Sequence, residues 1–259
     1  MPFTLSHAAA ALPFRRTRLI PSALVVGTLA PDFEYFLRGI PGGHFGHTLP
    51  GVFISDLPLS LIVLWLFHAY MREPIVALLP DSIGRRLSHA PQTFRFWGSA
   101  RLALIVTSIL VGVGTHILWD SFTHRTFWPY RHWAFLREMV SLPILGTLPY
   151  YKVFQFGSSV AGGAILLIWF MHWYRTTAPN ELPLANTLSS QKKLAVVVSM
   201  LVIAVSGALL RAKLAPKPSL HAFGVFLLDV LVAALSLIWM ELLVYGIVWM
   251  RRDQSRQPV

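Results

Sequence analysis

The sequence predicts an all-α membrane protein of about five transmembrane helices, with a re-entrant or buried N-terminal segment. The first observation behind this is composition: 55% of the 259 residues are hydrophobic and only 13% are charged. Soluble domains carry about 25% charged residues, so this chain has roughly half the usual share; its mean hydropathy is +0.59. The second is clustering. Val52–Tyr70, Leu102–Trp119, Phe156–Tyr174, Leu194–Leu210 and Ala222–Met250 are apolar runs, each about 17 residues or longer and so able to cross a ~30 Å hydrocarbon core as helices.

An earlier apolar stretch, Leu19–Ala30, is too short to cross and contains Pro21 and Gly27, so it reads as re-entrant or buried. The start, MPFTLSHAAAALPFRR, has its basic residues after the apolar run rather than before it. That order argues against a signal peptide and for a retained N-terminus. Turn signals at PSA, APD and GIPGGHFGH break up residues 1–50. The first span is expected to begin near Ser55–Pro58, with Ser55 or Asp56 as cap and Pro58 in the first turn. A polar loop, 72–98, leads to the second span. Residues 125–152 read as an aromatic and basic loop whose Trp128, Tyr130, Trp133, Tyr150 and Tyr151 suit a membrane interface. The whole chain reads as one integral-membrane domain: residues 1–152 carry the distinctive chemistry and 153–259 supply supporting helices.

The net charge of +11 arises from 22 Lys and Arg spread over every loop. Without a dense basic block, they are expected to meet anionic lipid rather than nucleic acid. Five spans would place half of these cations on each side, so charge does not set the orientation. Cysteine is absent, which excludes disulfides and thiolate metal sites. Any bound metal must use nitrogen and oxygen donors.

The second span ends in THILWDSFTH, residues 115–124. Steps of four residues drift only about 40° on a helix, so His116, Asp120 and His124 are expected on one stripe. Ionisable groups on an apolar helix are costly and commonly mark a site. Two spans separate residues 1–50 from 125–152, which puts both segments on one side of the membrane. His7, Asp32, Glu34, His44 and His47 are therefore expected to meet that helix end. Imidazole and carboxylate donors suit Zn²⁺, Mn²⁺ or Fe²⁺. On a continuous helix His116 and His124 would lie about 12 Å apart along the axis, too far to share one ion with metal–nitrogen bonds of about 2.1 Å. Either one ion takes an i, i+4 pair, or two ions share a bridging Asp120. Among the remaining acids, Glu34 can pair with Arg38 at i, i+4. Asp229 and Glu241 in the last span are expected to serve as packing hydrogen bonders.

Four stretches, MPFTLSHAAAALP, VVGTLAPDFEYF, GHFGHTLPG and THILWDSFTHRTFWPY, together resemble a bacterial integral-membrane family of unknown function. That family is similar in turn to membrane-bound metal-dependent hydrolases. The resemblance covers about residues 1–131. It matches His7 to an early histidine and Asp32 to the first acid of a Pro-Asp-x-Asp turn, with Glu34 replacing the second. His44 and His47 match the paired histidines of the third motif, which lacks its Arg-Gly-x-Thr centre here. His116, Asp120 and Thr123 match His-x-x-x-Asp-x-x-Thr, and Trp128-Pro129-Tyr130 the aromatic-Pro ending.

The resemblance implies a divalent metal, zinc first with Mn or Fe as alternatives, held by His7, Asp32, His44, His47, His116 and Asp120. The expected activity is hydrolysis of an ester or phosphoester in a lipid or lipid-linked substrate at one membrane face. Glu34 or His124 would move the proton, and Arg15, Arg16 or Arg125 would hold a phosphate. The expected location is a bacterial inner membrane, crossed several times, with membrane lipids as partners. A non-catalytic membrane scaffold and a metal or proton transporter are the competing readings.

Overall fold

A computed structural model gives the fold and describes residues 3–39, 43, 45–88, 93–143, 146–181, 188–214 and 223–254. The protein is all-α among the described residues, apart from one hairpin. Among the described residues, five helices are long and apolar enough to cross a membrane: Leu49–Leu78, Ser99–Ser121, Tyr150–Thr176, Ser190–Leu214 and Asp229–Arg252. Their outward faces carry exposed Ile165, Leu167, Ile168, Val202, Ile203 and Val244, as lipid-facing surfaces do.

The chain divides into two compact units. One comprises Met1–Phe33, His44–Leu61 and Phe96–Arg175, the other Glu34–Gly43, Ile62–Arg95 and Thr176–Val259. The first unit is organised around the second span. Leu19–Ala30 holds a nine-residue helix, Pro21–Leu29, too short to cross a hydrocarbon core, with Pro21 at its start and Ala23, Leu24, Gly27 and Thr28 buried. Two glycines let it lie directly against the second span. A Cβ on Gly27 would strike the Ile109 carbonyl, and a Cβ on Gly112 would strike the Leu24 carbonyl and sit 2.7 Å from the Thr28 nitrogen. Helices in membranes gain little from burying apolar surface against each other, so close backbone contact through small residues carries the packing.

Residues Thr4–Arg16 form an unusually long 3-10 helix. At three residues per turn, positions i and i+3 eclipse, which stacks Thr4 over His7 on one buried edge. This segment is pinned to the third span: the Phe3 amide donates to Ser159 Oγ at 2.9 Å, and a Cβ on Gly162 would lie 2.7 Å from the Ser6 carbonyl.

The first span starts earlier than its hydropathy suggests. Thr48 is the cap, its hydroxyl accepting from the Gly51 amide at 3.1 Å, and Pro50 occupies the first turn. The expected start at Ser55–Pro58 is thereby corrected. Pro58 lies inside the helix, and the π-helical turn Val52–Asp56 precedes it. A proline removes one ladder hydrogen bond and crowds the carbonyl four residues earlier; the wider π turn accommodates both. Asp56 is consequently 1% exposed within the helix rather than a cap. The expected 72–98 loop is partly helical, since Arg72–Leu78 continues the span and Asp81–Leu87 forms its own helix. The expected 125–152 loop includes a short helix, Trp128–His132, and an antiparallel hairpin pairing Met139–Leu142 with Gly146–Pro149.

In the second unit the fourth and fifth spans pack through Ala204, Ala208, Val232 and Ala233, all buried, with Gly207 leaving room for Leu237. Lys193 donates to Asp81 at 2.6 Å and to the Leu79 carbonyl at 2.7 Å. Asp229 is not merely a packing hydrogen bonder, because Arg211 pairs with it at 2.8 Å. Glu241 has no hydrogen-bond partner among the described residues.

Candidate metal centre

His116 and Asp120 sit one turn apart on the second span and are 0% and 1% exposed. His116 Nδ1 lies 2.8 Å from the Thr28 carbonyl oxygen. A carbonyl only accepts, so Nδ1 carries the hydrogen. In the neutral ring this leaves the Nε2 lone pair facing inward, the arrangement that outer partners impose on metal-binding histidines. Thr28 is the neighbour of Gly27, so the glycine contact that seats the short helix also delivers the carbonyl that orients His116.

Three further side chains of the same unit converge on that atom and on Asp120. His7 stacks on His116 with ring centroids 3.9 Å apart, and its Nε2 lies 3.4 Å from Asp120 Oδ1. His116 Nε2 lies 3.4 Å from Asp120 Oδ2 and 3.8 Å from Asp32 Oδ1. His47 Nε2 lies 3.3 Å from Asp120 Oδ2 and 3.7 Å from Asp32 Oδ1. Asp32, in the turn after the short helix, is held by the Thr4 hydroxyl, which donates to Oδ2 at 2.6 Å. That bond leaves Oδ1 aimed at the histidines. Gly46 lets the loop carrying His47 sit against the Pro31 backbone and 2.9 Å, measured from its would-be Cβ, from Asp56 Oδ1.

The spacing is informative. Charge-assisted hydrogen bonds between imidazolium and carboxylate run at about 2.7–2.9 Å. The contacts here are 3.3–3.8 Å. Donor atoms at corners of a tetrahedron about 2.1 Å from a common ion are ~3.4 Å apart. His7 Nε2, His116 Nε2, Asp32 Oδ1 and Asp120 Oδ2 are all buried without a hydrogen-bond partner. Two groups, His7–His116–Asp120 and Asp32–His47–His116, bring their ligand atoms within 4.8 Å of one another and could hold a metal ion. Both need His116 Nε2, which has one lone pair, so they describe one shared centre rather than two independent ones. Two carboxylates offset a divalent charge, which matters where water is excluded.

Burial pushes the His7 imidazole below its ordinary range; the Asp120 contact opposes this and the His116 ring beside it adds to it. His124 is likewise lowered by burial against the opposing Asp120 charge. Both rings therefore favour the neutral, lone-pair-bearing form.

The remaining expected residues are distributed differently. The helix ends at Ser121, so the unbroken His116–Asp120–His124 stripe does not form. The chain turns back instead, and His124 Nδ1 lies 3.4 Å from Asp120 Oδ2 and 3.2 Å from the Asp120 carbonyl. The 12 Å separation computed for a continuous helix does not apply. Glu34 belongs to neither metal-holding group; its carboxylate accepts from Arg38 at 3.0 Å. Arg15 and Arg16 are exposed at the end of the 3-10 helix, and Arg125 donates to Tyr151 Oη at 2.6 Å. His44 lies outside the described residues. Thr4 and Thr28 were not singled out by the sequence, and Asp56 was expected only as a helix cap. The Thr4–His7 spacing is the one local signal for Thr4, and it becomes readable only with a three-residue turn.

No curated protein and no solved structure matches this chain. A family model described as a domain of unknown function (DUF4184) matches residues 1–247. That span covers nearly the whole sequence, including every residue of the His/Asp cluster, and the chain belongs to the DUF4184 family.

Proposed function

We propose that this protein is a metal-dependent hydrolase that crosses a bacterial inner membrane several times and acts on an ester or phosphoester of a lipid or lipid-linked substrate. The observation that carries the reading is the set of buried donor atoms of His7, Asp32, His116 and Asp120 left without hydrogen-bond partners, gathered in two overlapping groups that share His116. Unsatisfied buried polar atoms cost about 1–3 kcal/mol each, and a cation among them removes that cost. His7, Asp32, His47, His116 and Asp120 would hold it. A nitrogen and oxygen donor set suits Zn²⁺ first, with Mn²⁺ or Fe²⁺ next.

A divalent ion bound there supplies Lewis-acid polarisation of an ester oxygen and makes water nucleophilic near neutral pH. Thr4 and the Thr28 carbonyl keep Asp32 and His116 oriented for it. His124, at the rim with its side chain 22% exposed, is placed to accept a proton and pass it to solvent. Glu34 is committed to Arg38 and is the weaker candidate for that task.

Metal content of the purified protein tests the reading directly. Wild type should carry a stoichiometric divalent ion, while Asp120→Asn and His116→Ala should lose at least ten-fold in occupancy yet remain folded in detergent. Unchanged stoichiometry in both variants overturns it. Turnover of a panel of headgroup esters, set against metal flux in liposomes, separates hydrolase from transporter. A metal-free wild type returns the cluster to a scaffold role.

A further inference from the structure

Beside the cluster, the start of the third span assembles two cations around one phenol. Arg125 directly follows His124, so its Cα is ~3.8 Å from that of a residue touching Asp120. Its Nε donates to Tyr151 Oη at 2.6 Å, and its guanidinium carbon is 5.2 Å from the Tyr151 ring centroid. Lys152 Nζ lies 5.6 Å from the same centroid and donates to Gln155 Oε1 at 2.6 Å. Tyr151 and Gln155 are 3% and 2% exposed, so both cations are held by buried neutral groups. Among the described residues, neither cation has an ion-pair partner.

We propose that Arg125, Tyr151 and Lys152 form a subsite for the phosphate group of the substrate, next to the metal centre. Two like charges gathered by buried neutral acceptors repel each other until an anion joins them. Tyr151 accepts from Arg125 and so keeps its own hydroxyl hydrogen to donate. The guanidinium retains its terminal N–H groups, which suit two phosphate oxygens at once. Lys152 adds a point charge. Tyr151 and Lys152 lie in the first turn of a helix long and apolar enough to cross a membrane, a position that suits headgroup depth. The subsite rests on the hydrolase reading for the use made of the bound phosphate, and its anion recognition is testable apart from turnover.

Calorimetric titration of the purified protein with dioctanoyl phosphatidic acid, inorganic phosphate and uncharged dioctanoylglycerol tests it, with metal content read in the same preparations. Phosphatidic acid should bind wild type and bind at least ten-fold more weakly to Arg125→Gln and to Lys152→Gln. Arg131→Gln, an exposed cation of the same region, should bind as wild type does. Inorganic phosphate binding equally well assigns the site to phosphate itself; lipid binding alone assigns it to a headgroup. Either supports the subsite. In wild type, phosphatidic acid should also protect Lys152 from acylation relative to Lys192 and Lys213, which needs no variant to fold. Equal binding by all variants, or no protection of Lys152, overturns the proposal. Metal retained without phosphate binding removes the subsite alone; phosphate binding by metal-free wild type removes the hydrolase reading alone.

Discussion

The two units treat their carboxylates in opposite ways. In the second, Asp81, Asp229 and Glu34 meet Lys193, Arg211 and Arg38 at 2.6, 2.8 and 3.0 Å. In the first, Asp32 and Asp120 meet imidazoles rather than Lys or Arg among the described residues, at 3.3–3.8 Å, although both are 1% exposed. The better-buried acids thus stand farther from their nitrogen partners. Exposed pairs tolerate being weak because water shares their charge; buried acids do not. Direct cation contacts in one unit and spaced donors in the other set a structural ion pair apart from a cluster that could hold an ion.

The largest effect that would break this comparison is loss of the scaffold beneath the cluster. Gly112→Leu would drive a side chain into the Leu24 carbonyl and the Thr28 amide, neither of which is a flexible tip. Overpacking of this kind costs roughly 1–3 kcal/mol and more where backbone must move. We expect the folded fraction in detergent to collapse, measured by size-exclusion chromatography, and His116 to lose its Thr28 contact with it.

Chelation sharpens the contrast next. An ion present at about 100 times its dissociation constant stabilises a fold by ~2.7 kcal/mol. Treatment with a chelator should lower the melting temperature of wild type and leave Asp120→Asn unmoved. Asp229→Asn should act the other way round. It strips Arg211 of its carboxylate within a membrane helix pair, at about 1–2 kcal/mol given partial exposure, with metal content unchanged.

Smaller still is Thr4→Val, which keeps the shape but removes the hydroxyl that holds Asp32 Oδ2. Loss of an outer partner of this kind costs roughly 10–100-fold in metal affinity. We expect about ten-fold by competition titration, with Thr4→Ser restoring it.

The least effect is expected at Asp81. Lys193, by hydrogen bond and then by charge, holds the Asp81 carboxyl below the usual carboxylate range. A depressed folded value means the pair contributes fully above the unfolded pKa and is lost as pH falls through the folded one. Melting temperatures of wild type and Asp81→Asn should therefore differ slightly near neutral pH and converge on acidification.

Much of what depends on neighbours within a few residues was legible beforehand. Long apolar runs demand helices because no water is available to satisfy backbone groups in a bilayer, so the five spans follow from composition along the chain. The i, i+4 spacing of His116 and Asp120 follows from the helical period, the shortness of Leu19–Ala30 from counting, and the nitrogen and oxygen donor set from the absence of cysteine. Contacts between distant segments were decided by tertiary structure alone. Gly27 and Gly112 look like ordinary helix residues until two backbones meet there, and only their contact brings the Thr28 carbonyl to His116. The chain stops its helix at Ser121 and turns His124 back toward Asp120 because local backbone bonds close the end, which no periodicity announces. Thr4 reaches Asp32 across 28 positions, and Arg211 reaches Asp229 because two spans pack at small residues. Helical period and hydropathy act over a turn or over a membrane's thickness. A His/Asp cluster drawn from four segments of the chain is settled by which backbones can approach closely enough to share it.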